Sequence, residues 1–281
     1  MRRMSIEHVT SFEYEDQVTA SYNEARMLPK STPNQFVLSS SLDIEPSANV
    51  NHYRDYFGTH VASFDVLSGH RKLRISARSL VEARPRLFTA PELDWDRLER
   101  AAAAAVSTVE MMPQVARTRP HPEVAEIARG IAAAHTRPDA VARAIAETVG
   151  GSIAYVHGST SVHSTAAEVW EARNGVCQDI SHVVIGALRD AGIPARYVSG
   201  YLHPREDAEV GEPVVGESHA WVEWFVGSWQ GFDPTNGIPI GDRHVTVGHG
   251  RDYSDVAPLR GVYAGSPRSG MDVSVTITQE A

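Results

Sequence analysis

Asn174-Gly175-Val176-Cys177-Gln178-Asp179-Ile180 decides how this chain reads. Asn-Gly is turn chemistry. After it Ile180, Val183, Val184, Ala187, Leu188 and Ala191 recur at the spacing of one helix face, until Gly192 and Pro194 close the run. The only cysteine among the 281 residues therefore opens a helix. A helix N-terminus presents backbone N–H groups without intrahelical partners and the positive end of the macrodipole. A thiolate is stabilised there, and the same N–H groups are placed to hold an oxyanion. Taken alone, a free cysteine is more often a small buried hydrophobe than a nucleophile. The reading depends on what the fold brings beside it.

Just upstream, Thr165-Ala166-Ala167-Glu168 has the spacing of a capping box, and Asn174-Gly175 is expected to end that helix with a left-handed cap. Pro138 opens an earlier helix with Val141, Ile145 and Val149 as its stripe and Gly150-Gly151 as its end. His121-Pro122 opens another, with Val124, Ile127, Ala128 and Ile131 on one face. The Ala-rich stretch 92–106 favours helix as well. Before Arg84-Pro85 the pattern is strands, over 36–44 and 73–81, punctuated by Pro29, Pro33-Asn34, Pro46, Gly58 and Ser68-Gly69. After Gly192 strands return over 196–202, 219–226, 229–232 and 273–278. The expected class is α+β. Residues 1–85 form a β-sandwich, 86–150 a helical connector, and 151–281 a core in which the cysteine helix packs on an antiparallel sheet.

Two further groups make Cys177 a candidate nucleophile: His219 in Ser218-His219-Ala220-Trp221 and Asp233 in Phe232-Asp233-Pro234-Thr235. His219, Trp221, Glu223 and Phe225 share one strand face, while Ala220, Val222, Trp224 and Val226 form the buried one. A two-residue loop after Val226 would place Asp233 on the wrong face. A three-residue loop with Gly227 in a permissive conformation pairs Phe225 with Trp229 and sets Asp233 diagonal to His219. A Cys–His–Asp constellation is thiol acyl-transfer chemistry: the histidine takes the thiol proton, the aspartate orients the imidazolium, and a thioester forms on attack at a carboxamide. Trp221, Trp224 and Trp229 all lie in this hairpin, where they pack the core and can wall a thioester from water. Trp221 and Gln178 are the expected substrate contacts. Asp179 is expected to cap the cysteine helix, His182 to support it, and His244 and His249 to face solvent.

Other classes fit less well. Cys177, His182, His219 and Asp233 are all ligand types, but there is no CxxC, HxxxH or HExxH, so no metal is expected. GxxxxGK[ST] and GxGxxG are absent, and no cofactor is expected. A net charge of −9, spread along the chain, argues against nucleic acid. The basic run His70-Arg71-Lys72-Leu73-Arg74 reads as a solvated strand. One cysteine makes no internal disulfide, Met1-Arg2-Arg3-Met4 is followed by no apolar run, and no stretch has membrane-span length. A cytoplasmic protein with no membrane partner is expected.

These motifs, with Gly192-Ile193-Pro194-Ala195-Arg196-Tyr197-Val198-Ser199-Gly200-Tyr201 and Gly250-Arg251-Asp252-Tyr253-Ser254-Asp255-Val256-Ala257-Pro258, resemble the bacterial transglutaminase-like proteins. Asn23-Glu24-Ala25-Arg26-Met27-Leu28-Pro29 and Asp55-Tyr56-Phe57-Gly58 resemble the β-rich N-terminal domain that those proteins often carry. Thr59 departs from the usual asparagine, and residues 92–120 fit less closely. The resemblance implies a papain-like core with Cys177, His219 and Asp233 as its triad, a protein or peptide substrate carrying an amide, and no calcium requirement. It leaves open peptidase, amidase, acyltransferase, and a silent binding or scaffold module. A zinc-dependent hydrolase is a third class.

Overall fold

The computed structural model describes residues 1–85, 93–216, 218–265 and 268–281. Six strands come first: β1 (Arg2–Val18), β2 (Ala20–Ala25), β3 (Gln35–Glu45), β4 (Val50–Arg54), β5 (His60–Val66) and β6 (His70–Ala83). Helices α1 (Trp95–Ala103), α2 (Val106–Val109), α3 (Pro122–Ala134) and α4 (Pro138–Gly150) follow. Then come β7 (Ala154–Tyr155), α5 (Ala166–Ala172), β8 (Asn174–Gly175) and α6 (Cys177–Asp190). The last part holds β9 (Ala195–Leu202), β10 (Pro213–Gly216), β11 (Ser218–Phe225), β12 (Trp229–Asp233), β13 (Ile238–Pro239), β14 (His244–Gly250), α7 (Tyr253–Val256), β15 (Leu259–Ala264) and β16 (Ser269–Gln279).

The sandwich is two sheets face to face, ordered β10-β16-β1-β6-β3 and β15-β2-β5-β4. Alternating side chains of both sheets, among them Val18, Met27, Phe64, Leu73 and Ile75, fill the space between them. Three of its strands, β10, β15 and β16, come from the stretch expected to be wholly core. The reason is the length of β1, which pairs with β6 on one edge and with β16 on the other along most of its course. The sandwich is therefore completed by the C-terminal part of the chain.

The third sheet, β13-β12-β11-β9-β14, carries the core. Helix α6 packs on β11 and β9. Val183, Val184, Ala187 and Leu188 meet Ala195, Tyr197, Val222 and Trp224 in one apolar cluster with α3, α4 and α5. The opposite face of this sheet is covered too. There Trp221 packs with Val198 and Ile240, while Tyr201 and Val245, on the same face as Tyr197, pack with Met4, Ile6 and Val81 of the sandwich, and the Tyr201 hydroxyl donates to the Met27 carbonyl at 2.7 Å. Gln35 Nε2 donates to the Thr246 carbonyl at 2.8 Å. Both faces of β11 are thus buried, where the sequence pattern suggested one.

Local signals hold with three adjustments. The expected helix from 92 to 106, whose first residue lies outside the described residues, is two short helices. The Thr108 hydroxyl bonds the carbonyls of Ala102 and Ala105 and so competes with the helix ladder at the break. Thr165 and Glu168 form the reciprocal capping box, but the left-handed residue after α5 is Arg173 (φ 56°), with Asn174-Gly175 already in a strand. Helix α6 is buried all round from Gln178 to Arg189, not along one stripe.

Candidate active site

Cys177 is the first residue of α6 and partly exposed. Asp179 reaches back to accept the Val176 N–H at 2.9 Å and the Thr160 hydroxyl at 2.5 Å, which fastens the helix start and the preceding loop together. Burial raises the Asp179 pKa, and these two hydrogen bonds oppose it. The backbone N–H groups of Cys177 and Gln178 lie in the first turn, where the helix has no carbonyl to offer them.

The β11–β12 hairpin pairs Phe225 with Trp229, and Gly227 takes a left-handed φ of 96°. This is the odd loop that the triad requires. It places Asp233 Oδ2 at 2.7 Å from His219 Nε2. The other ring nitrogen, Nδ1, is left for Cys177, whose hydrogen bond and charge act on the imidazole. Burial alone would push His219 down. The bonds to Asp233 and Cys177 outweigh it and raise the imidazole to about 10.

Asp233 is fully enclosed and fully engaged. Its Oδ1 accepts the backbone N–H groups of Thr235 and Asn236, and its Oδ2 also accepts the Asn236 side-chain amide at 2.7 Å. Burial would raise its pKa, but the donors, led by His219 and then His244, hold it well below the carboxylate range.

His244 was expected in solvent and is instead 3% exposed, with Nε2 at 3.4 Å from Asp233 Oδ2. Its Nδ1 accepts the Gly241 N–H at 3.3 Å, so Nε2 carries the proton toward Asp233. Burial lowers its pKa despite the carboxylate. A sequence signal existed: Val245 and Val247 alternate with His244 and Thr246, which puts the histidine on the site side of β14. His249 is not solvent-facing either; its Nδ1 meets Lys30 Nζ at 2.9 Å.

The remaining expectations divide. His182 is buried and accepts the Tyr253 N–H through Nε2 at 3.1 Å, beside the Tyr197 ring, so it supports α6 from behind. Trp221, an expected substrate contact, is fully buried and offers no surface to a ligand. Its indole lies against Gly200, where a Cβ would come within 2.6 Å of the ring, and edge-on to His244. It backs both imidazoles. Gln178 is 9% exposed and leans toward the Val162 carbonyl at 3.5 Å.

His182 does not join Cys177, His219 and Asp233 in a ligand set. The group with metal-ligand spacing is His219, Asp233 and His244, with donor atoms within 4.8 Å of one another. There both imidazole Nε2 atoms and the Asn236 amide already converge on one carboxylate oxygen, so the geometry is that of a hydrogen-bond network.

His219 opens on a cleft of about 560 Å³ lined also by Tyr155, His157, Val215, Gly216 and Asn236.

Comparison with known proteins gives the family and the fold. Residues 4–82 match the model of the bacterial transglutaminase-like N-terminal region, and residues 125–234 that of the transglutaminase-like superfamily. ML0607 of Mycobacterium leprae, an uncharacterised protein, is 39% identical over 281 residues, covering all of both chains. The chain belongs to the transglutaminase-like superfamily. A second uncharacterised relative of this transglutaminase-like protein, Rv2569c of Mycobacterium tuberculosis, is 34% identical over 300 positions, 98% of this chain and 92% of the other. A crystal structure from Cytophaga hutchinsonii, proposed to be a cysteine protease, superposes with a TM-score of 0.75 at 18% identity. It covers 99% of this chain and 97% of its own, and shows the same fold. Among the described residues no helix is long and apolar enough to cross a membrane.

Proposed function

We propose that this protein cleaves an amide bond in a protein or peptide through a thioester on Cys177. The observation that carries this reading is His219 held at Nε2 by a buried carboxylate, with its other nitrogen turned to the cysteine that opens α6. His219 takes the thiol proton through Nδ1. The sulfur attacks the carboxamide carbon, and the oxygen becomes an oxyanion facing the N–H groups of Cys177 and Gln178. Collapse breaks the C–N bond while His219 gives its proton to the departing amine. Water then attacks the thioester, His219 accepts its proton, and the S–C bond breaks to release the acid and restore the thiol. An amine in place of water would form a new amide. Hydrolysis is preferred because it needs no second binding site. With its pKa raised to about 10, His219 keeps the proton it has taken from Cys177 at neutral pH and is ready as the general acid. Neither a metal nor a cofactor takes part in this reading, and a lone thiol suits the reducing cytoplasm.

The test is the pH dependence of Cys177 alkylation by iodoacetamide, with His219→Ala beside it. Because Cys177 is the only cysteine, every modified molecule reports on the site. Reaction persisting well below the free-thiol value of about 8.5, and lost in the variant, supports the ion pair. Identical ordinary titration in both proteins would overturn the reading.

A further inference from the structure

We propose that the free edge of β10 is where the substrate docks: an extended polypeptide flanking the reactive amide adds to it as a further strand. This rests on the amide reading above and specifies how its protein or peptide substrate is held.

β10 is an edge strand whose one neighbour among the described residues is β16. The Gln279 carbonyl accepts the Gly211 N–H at 2.8 Å, so residues 279, 277 and 275 turn their backbone groups toward β10. Their partners Val214, opposite Ile277, and Gly216, opposite Val275, answer them. Val215 lies between, and its N–H and C=O therefore point away from β16, toward the open side. Pro213 occupies the same outward phase two residues earlier, where its missing N–H leaves the ladder to β16 intact.

What separates this edge from those of the three larger sheets is its position. Val215 and Gly216 line the same cleft as His219, and no residue of β3, β4, β13, β14 or β15 does; the two-residue edge strand β7 also reaches the cleft, through Tyr155. Val215 is 78% exposed, and Tyr155, on the cleft wall, is 42% exposed. A single position separates β10 from β11, so Gly216 and His219, three residues apart in the chain, lie no more than about 10 Å from each other. A main chain paired with Val215 thus has a neighbouring amide within reach of the cysteine–histidine pair. Strand addition draws affinity from backbone hydrogen bonds, and the apolar walls select side chains.

The experiment compares two reagents carrying one electrophile, acetyl-trialanyl chloromethyl ketone and chloroacetone. In each the Cys177 sulfur bonds to the methylene carbon as chloride leaves, and intact mass follows the rate. The peptide reagent is expected to react at least about tenfold faster. Methylating the nitrogen of its middle amide should cut the ratio of the two rates about five- to tenfold, the worth of one main-chain hydrogen bond. Val215→Pro, which deletes the outward N–H, should cut it similarly. The N-methyl comparison uses the unaltered protein and so does not depend on the variant's folding. If Cys177 reacts with chloroacetone and the peptide has no advantage, or keeps it after N-methylation, strand docking is overturned and the thiol reading stands. If Cys177 reacts with neither reagent, the thiol reading fails and strand docking with it.

Discussion

Two buried polar clusters lie along one face of β11, kept apart by Trp221. At one end Asp233 gathers His219, His244 and Asn236. At the other Glu223 pairs with Arg196 at 2.5 Å, with Lys30 and His249 close by. Both ends are desolvated, yet His219 moves up while Lys30 and His249 move down, and His244, second to His219 at Asp233, moves down with them. Burial, with Arg196 adding to it, lowers Lys30 to about 8 and His249 to about 3, because the Glu223 carboxylate is already matched by a guanidinium. Among the described residues no arginine pairs with Asp233. It is free to stabilise an imidazolium, and His219 rises to about 10. Burial alone does not decide the sign of a pKa shift; what decides it is whether a nearby carboxylate is already spoken for.

The largest expected break is Asp233→Ala. It strands the donors of His219, His244 and Asn236, and should cost about 3–5 kcal/mol in urea unfolding. Amide turnover should fall by about a thousandfold or more. Titration sharpens the contrast next. The folded state holds the His219 proton more tightly than the unfolded chain does. Its contribution is complete below about 6.5 and is lost as pH rises through about 10. His249 works the other way: between about 3 and 6.5 the unfolded chain binds the proton more readily, so its contribution grows with pH. Urea midpoints from pH 4 to 10 should therefore lose part of their alkaline decline in His219→Gln and part of their acid decline in His249→Gln. Glu223→Gln leaves Arg196 without its countercharge and should cost about 2 kcal/mol, with turnover little changed. His244→Gln removes one donor to Asp233; about 1 kcal/mol and a roughly tenfold loss of turnover are expected. Lys30→Met replaces a desolvated ammonium by an apolar side chain of similar length and should stay within about 1 kcal/mol of the parent, on the stable side if anything.

The elements nearest the chemistry were legible because their signals are local. The stripe of α6, the box at Thr165 and Glu168, and the parity of the Gly227 loop each lie within a few residues. A His219–Asp233 contact required an odd loop at Gly227, and the hairpin has it. The groups packed behind the histidine and aspartate were not legible in the same way. Reading Trp221 as a substrate contact assumed that one face of β11 is open, and Val198, Ile240 and His244 close over it. His244 and His249 looked solvated for the same reason. The strand character of 273–278 was plain, but a period-2 pattern does not say which sheet a strand will join. Its partner β1 is nearly a chain length away.

That pairing has a consequence for biosynthesis. A ribosome delivers β1 and β6 early and β16 at the end, yet β16 is an interior strand of their sheet. Until it arrives, one long edge of β1 has no partner and is open to strands of other chains. The core elements from α3 to β12 emerge in between and are largely local in their contacts. Assembly on the ribosome should therefore run from the middle outward, with the first-made sheet closing last. Such a chain gains from a chaperone that shields nascent strand edges, and it is exposed to premature termination: a product cut short before β16 would retain Cys177, His219 and Asp233 and still leave its opening strand bare.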